Sequence, residues 1–247
     1  MTLPRPSVVI FDMDGTTVRH LNPRILEAME RLDDLSFKIH KGLSRFFPFR
    51  RAKHKDALPR KKYSPKLLVH RTIHSFRRKP VEQIVEPCPH VIDVLECLAG
   101  QNLPIGIVSN GLGRGYGHDI LKQFDLNRFY DATMFAEDLN KSKPDPHPII
   151  KMLSKLKTDI GDDDIIWYIG DRHKDINAAL NAGKELPCTV VPIAYGYFGS
   201  ACLAVLEHKL GTDHIIGSYS EFLQTLRTIF KIDDNQNISA VPDPHKL

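Results

Sequence analysis

The stretch that decides the fold is Ser7–Gly15, "SVVIFDMDG". Its opening "SVVI" is an apolar run long enough for one buried strand, and the chain leaves that strand through Asp12 and Asp14. In an extended chain alternate side chains share a face, so the two carboxylates point the same way past the strand's end. Two carboxylates at close quarters repel unless a cation or a proton lies between them. The pair therefore points to chemistry and not to packing.

Reading outward, the next convincing buried strand is "PIGIVS" at Pro104–Ser109. A strand–helix–strand crossover needs only about 30 residues, so the long interval implies an inserted piece. From Pro87 onward the alternation is regular. "HVIDVLECLAG" has helical spacing and stops at Gly100, "GHDILKQF" is helical, and "DATMFA" is a short strand. "PHPIIKMLSKL" makes a helix entered through prolines, "IIWYIGD" a buried strand, "DINAALNAG" a helix closed by Gly183, and "CTVVPI" another strand. "HIIG" and the helical "YSEFLQTLRTIF" complete the pattern. Alternating strands and helices predict an α/β fold, a doubly wound parallel sheet with a Rossmann-like core. Ligands of such sheets bind beyond the carboxyl ends of the strands, where the winding reverses. Polar residues stand at those ends: Asp12 and Asp14 after the first strand, Ser109 and Asn110 after the second, Asp171 after the fourth.

The expected organisation is a core from residues 1–16 and 87–230, a basic helical cap inserted at 17–86, and a polar, disordered tail at 231–247. The overall charge of +4 conceals an asymmetry, because residues 17–86 hold 18 Lys plus Arg against 7 Asp plus Glu, and the remainder 16 against 23. A chain of 247 residues that is 42% hydrophobic can bury a full core. No apolar run approaches the ~20 residues needed to cross a bilayer, and the first strand begins too early for a signal peptide, so a cytoplasmic location is expected. The four cysteines form no CxxC pair, which leaves buried free thiols as the expectation.

Four segments in order carry a resemblance. "DMDGT" after a first strand, "VSNG" after a second, "KSKPDP" before a helix and "GDRHKD" after a fourth strand resemble the four signature motifs of the haloacid dehalogenase superfamily. The position of the insert resembles the helical cap of its phosphoglycolate phosphatase-like branch. The resemblance implies a Mg2+-dependent phosphatase acting on a small phosphate monoester, of the phosphoglycolate or sugar-phosphate type. Asp12 would attack phosphorus and form an aspartyl-phosphate, and Asp14 would protonate the leaving group and then deprotonate water. Mg2+ would bind Asp12, the main-chain carbonyl of Asp14, Asp171 and Asp175. Ser109, Asn110 with its neighbouring main-chain N–H groups, Lys143, Gly15 and Thr16 would bind the phosphate.

A phosphomutase of the same superfamily, or a binding or membrane-docking protein on an inactive scaffold, are the alternatives. The partner implied is a small phosphorylated substrate. Phe46, Phe47 and Phe49 interleaved with Arg45, Arg50 and Arg51 would also suit an anionic membrane surface. No base-stacking platform is evident, so nucleic acid is not expected. His70 and His74 share a helix face without an acidic third ligand, which favours packing over metal binding. Asp162–Asp164 read as a solvated turn, and Tyr195 and Tyr197 as either cleft or core. Oligomeric state is not encoded in any of these features.

Overall fold

The computed structural model describes residues 3–21, 80–156 and 159–232. The strands are β1 (Val8–Asp12), β2 (Val18–His20), β3 (Val85–Pro87), β4 (Ile105–Val108), β5 (Ala132–Met134), β6 (Ile165–Gly170), β7 (Thr189–Tyr195) and β8 (Ile215–Ile216). Among the described residues the helices are α1 (Val91–Ala99), α2 (Arg114–Gln123), α3 (His147–Lys155), α4 (His173–Glu185), α5 (Ser200–Glu207) and α6 (Tyr219–Phe230). Six strands form one sheet in the order β5-β4-β1-β6-β7-β8, and every neighbouring pair in it is parallel. The chain winds from β1 outward through β4 and β5, then returns to β6 on the other side of β1. The winding therefore reverses between β1 and β6, and a crevice opens at their carboxyl ends.

Both faces of the sheet are covered, as a doubly wound α/β fold requires. On one face Val8, Ile10, Ile166 and Tyr168 pack with Ile149 and Met152 of α3 and Ala178, Ala179 and Ala182 of α4. The opposite face is built from the alternate residues, where Trp167 meets Phe222 of α6 with ring centroids 5.8 Å apart. A central strand buried on both sides needs a continuous apolar run, which "VVIF" supplies.

Contacts divide the chain into two units, Met1–Arg19 with Val85–Leu247 and His20–Ile84. These junctions lie slightly inside the expected 17–86, because Thr17, Val18 and Val85 are fully buried. β2 and β3 pair as a two-stranded ribbon, with Arg19 Nη2 2.7 Å from Glu86 Oε1. The expected cap helices, the aromatic and basic run at residues 45–51, and His70 with His74 lie outside the described residues, as does the tail from 233 onward.

Two sequence expectations need correction. Helix α4 runs through Gly183 to Glu185, and its cap is Leu186, whose N–H still bonds to the Ala182 carbonyl. Pro187 ends it by forcing the preceding residue into an extended conformation. Helix α5 went unread because Ala201, Cys202, Ala204 and Val205 are buried while the larger Leu203 and Leu206 are exposed, which blurs the helical period. The four cysteines are free and buried. Asp162–Asp164 form a turn closed by Gly161 N–H to Asp164 Oδ2 at 2.7 Å. No helix among the described residues is long and apolar enough to cross a membrane.

Candidate active site

The turn after β1 is held by its own main chain. Thr17 and Val18 both donate to the Met13 carbonyl at 3.0 Å, and Gly15 donates to the Val18 carbonyl at 2.8 Å. Gly15 has φ +82°, and a Cβ there would overlap the Asp171 carboxylate, so glycine is required on two counts. The Thr17 hydroxyl donates to the Asp12 main-chain carbonyl at 2.8 Å, and the Tyr219 hydroxyl donates to the Thr16 carbonyl at 3.0 Å. These braces fix where Asp12 stands at the end of β1.

The four segments identified in the sequence converge on that point. Ser109, after β4, donates to Asp14 Oδ2 at 3.4 Å while its oxygen accepts the Leu112 N–H at 3.0 Å. Asn110 accepts from Lys143 N–H and donates to the Lys143 carbonyl, both at 3.3 Å. Its side chain therefore docks the Lys143 segment. The Thr16 hydroxyl bonds to Asp171 Oδ1 at 3.4 Å. Asp171 follows β6, and Asp175 sits in the first turn of α4, where its Oδ2 accepts the Arg172 N–H at 3.0 Å.

The buried ammonium of Lys143 bridges the acids. Its Nζ contacts Asp12 Oδ1 and lies 2.6 Å from Asp175 Oδ1, with all three side chains largely out of solvent. It also lies over the Tyr168 ring, 5.5 Å from the centroid. Asp12, Asp171 and Asp175 each offer one carboxylate oxygen, and those oxygens are all within 4.8 Å of one another. The carboxylate of Asp14 is not in this trio; its expected metal contact was the main-chain carbonyl.

Charge does not balance within this cluster. Three carboxylates face the Lys143 ammonium, with the half-exposed Arg172 guanidinium 4.0 Å from Asp171 as a more distant cation, so the acids outnumber the cations among them. Burial, together with the charges of Asp175, Asp171 and Asp14, raises the Asp12 carboxyl well above its ordinary range, with Lys143 opposing. Burial and the Asp175 charge push Asp171 up to about 6. Burial alone would lower Lys143, but Asp12 and Asp175 outweigh it and hold the ammonium protonated. A hard divalent cation with oxygen ligands would offset the remaining negative charge, so the donor set fits such an ion.

Tyr168, Thr17, Tyr130 and Tyr219 were not singled out in the sequence. Thr17 neighbours the first motif and its hydroxyl also lies 3.4 Å from Tyr130 Oη, but Tyr130 and Tyr219 come from distant segments with no local signal. Tyr195 is half-buried and stacked on Tyr219 with centroids 4.4 Å apart, whereas Tyr197 is exposed and bonded to Glu221.

A family model described as haloacid dehalogenase-like hydrolase matches residues 9–187. The chain belongs to that family. Phosphoglycolate phosphatase of Salmonella paratyphi A is 29% identical over 150 residues, covering 61% of this chain and 54% of that protein. Phosphoglycolate phosphatase of Escherichia coli is 30% identical over 114 residues, covering 46% of this chain and 42% of that protein. The chain spans about half the length of the curated relatives it matches. Among solved structures, a HAD-superfamily hydrolase from Ehrlichia chaffeensis aligns with a TM-score of 0.57 at 17% identity, over 93% of this chain and 100% of that one. A family IA, variant 3 HAD hydrolase from Entamoeba histolytica aligns with a TM-score of 0.57 at 16% identity, over 90% and 99%. These two share the family fold.

Proposed function

We propose that the chain is a phosphoric monoester hydrolase that releases phosphate from a small phosphorylated substrate, of the phosphoglycolate or sugar-phosphate type. One observation carries this reading: the Lys143 ammonium is clamped between Asp12 and Asp175 within an acidic trio at the winding reversal of the sheet. The curated relatives, phosphoglycolate phosphatases, support the substrate class.

The residues divide the chemistry between them. A carboxylate oxygen of Asp12 attacks phosphorus, and the bond from phosphorus to the substrate oxygen breaks, leaving an aspartyl-phosphate. Asp14 gives its proton to the departing alkoxide. It then takes a proton from water, whose oxygen bonds to phosphorus while the Asp12 linkage breaks and inorganic phosphate leaves. Lys143 neutralises charge on the phosphoryl oxygens and orients Asp12. The Ser109 hydroxyl and the main-chain N–H groups that follow it hold the remaining oxygens. Asp12, Asp171, Asp175 and the Asp14 carbonyl would hold Mg2+, which when bound supplies positive charge to the transferring group.

The test is phosphate release from a panel of phosphomonoesters, including phosphoglycolate and an aryl phosphate, with Mg2+ and with chelator. Mg2+-dependent release that disappears in Asp12→Asn, with that variant still folded, is the expected result. An Asp12→Asn variant as active as wild type, or release from no member of the panel, would refute the reading.

A further inference from the structure

Tyr168 occupies a position where packing alone asks for phenylalanine. It lies on the face of β6 that carries Ile166, among Ile10, Ile149, Ala178 and Ala179, and is fully buried. A hydroxyl placed there is unfavourable unless it is bonded. Among the described residues its acceptor is Asp175 Oδ1, at 3.5 Å. The same oxygen receives the Lys143 ammonium at 2.6 Å, and that ammonium stands over the Tyr168 ring. Lys143 and Asp175 side chains are only 3% and 2% exposed, so bulk water does not substitute for a lost partner.

An ammonium has three N–H donors. Asp12 and Asp175 take two of them, and Tyr168 stands beside the same ammonium, its ring centroid 5.5 Å from Nζ. We propose that Tyr168 is a positioning residue: its hydroxyl fixes Asp175 Oδ1 and its ring seats the Lys143 ammonium, so that Lys143 stays between Asp12 and Asp175 before substrate arrives. The assignment rests on the functional reading above for the roles of Asp12, Lys143 and Asp175. It adds a residue outside the four motifs, which acts through Lys143 and Asp175 and does not itself touch substrate.

The experiment compares wild type, Tyr168→Phe and a core control, Ile166→Val, which trims the same sheet face without touching the polar cluster. Proton exchange of the Lys143 ammonium is followed by nitrogen-15 NMR in metal-free protein at neutral pH, with the signal assigned by its loss in Lys143→Arg. Mg2+ affinity is then measured by calorimetry without substrate. Tyr168→Phe is expected to speed ammonium exchange about 10-fold, the scale of one lost hydrogen bond. Mg2+ affinity is expected to fall about 10-fold, the usual effect of removing a group that orients a metal ligand. Ile166→Val should lower the melting temperature and change neither readout. Unchanged exchange in Tyr168→Phe, or an equal change in Ile166→Val, overturns the proposal whatever the Mg2+ titration shows. If wild-type protein binds no Mg2+ the functional reading fails, and the exchange comparison still decides the role of Tyr168.

Discussion

Gly15 and Asp171 leave no room between them: a single methyl group on Gly15 would occupy the space of the Asp171 carboxylate. The first and fourth motifs, far apart in sequence, are thus interlocked at one backbone position. Gly15→Ala is expected to incur about 1–2 kcal/mol of left-handed backbone strain. It should also displace Asp171 from Asp12 and Asp175. Thermal melting should show a modest loss, while Mg2+ affinity and kcat/KM fall at least about 10-fold, the scale set by disturbing a ligand's orientation. Wild-type Mg2+ affinity in this variant would mean that Asp171 moves without consequence.

Lys143→Met keeps the side chain's reach and removes its charge. Asp12 and Asp175 then face each other in a buried site with no cation among them. The expected loss of stability in chelator is about 3–5 kcal/mol, the range for a broken buried ion pair. Urea denaturation checks this, and added Mg2+ should restore part of the loss by supplying the missing charge. A loss that Mg2+ does nothing to restore would place the ion away from Asp12 and Asp175.

Asp14→Asn separates the two chemical steps. An activated aryl phosphate needs little help from a general acid, so its first step should survive while attack of water on the aspartyl-phosphate slows by about 10²–10⁴-fold. Rapid quenching with a labelled substrate should trap phosphate on Asp12. Equal slowing of both steps would remove Asp14 from the proton-transfer role.

Stability should depend on pH in an unusual direction when metal is removed. Asp171 ordinarily ionises near 3.8 and is pushed up to about 6 in the folded chain, by burial first and then by Asp175. Between those values the native state holds more protons than the unfolded state, so this group's contribution to stability falls as pH rises through the window. Asp12 is displaced in the same direction. Melting in chelator should therefore lose ground from about pH 4 to about pH 6, and Asp171→Asn should flatten that slope. Saturating Mg2+ should stabilise more at neutral pH than in acid, since it binds the ionised acids. A slope that Asp171→Asn leaves untouched would locate the titration elsewhere.

Much of this architecture is legible in the chain because a doubly wound sheet writes itself locally. "VVIF" and "IIWYIG" are buried on both faces and read as apolar runs, and Asp12 and Asp171 stand at the ends of these two runs, as Ser109 does after "PIGIV". Asp12, Asp14, Ser109 and Asp171 are legible from those strand ends, whereas Lys143 and Asp175 are legible only through the resemblance of "KSKPDP" and "GDRHKD" to family motifs. What stays hidden is set by tertiary contact. Tyr219 is one residue into α6, and nothing in "SYSEF" signals that its hydroxyl closes the turn after β1. Tyr168 looks like another apolar strand residue until Lys143 is brought over its ring. Gly183 reads as a helix stop, yet the helix continues because the next true terminator is Pro187. The contact of the Thr16 hydroxyl with Asp171, across 155 positions of sequence, is likewise invisible in the chain.

The ribbon of β2 and β3 has a further consequence. The chain departs from the core at Arg19 and re-enters at Val85 on paired strands, which stand only about 5 Å apart. Closing a loop between fixed neighbouring ends becomes costlier only with the logarithm of its length. The core thus tolerates very different lengths of sequence at this gateway, and a short hairpin joining Arg19 to Glu86 would leave every strand of the six-stranded sheet in place. Such a junction lets the intervening sequence change in length without moving the strands on which the carboxylates stand.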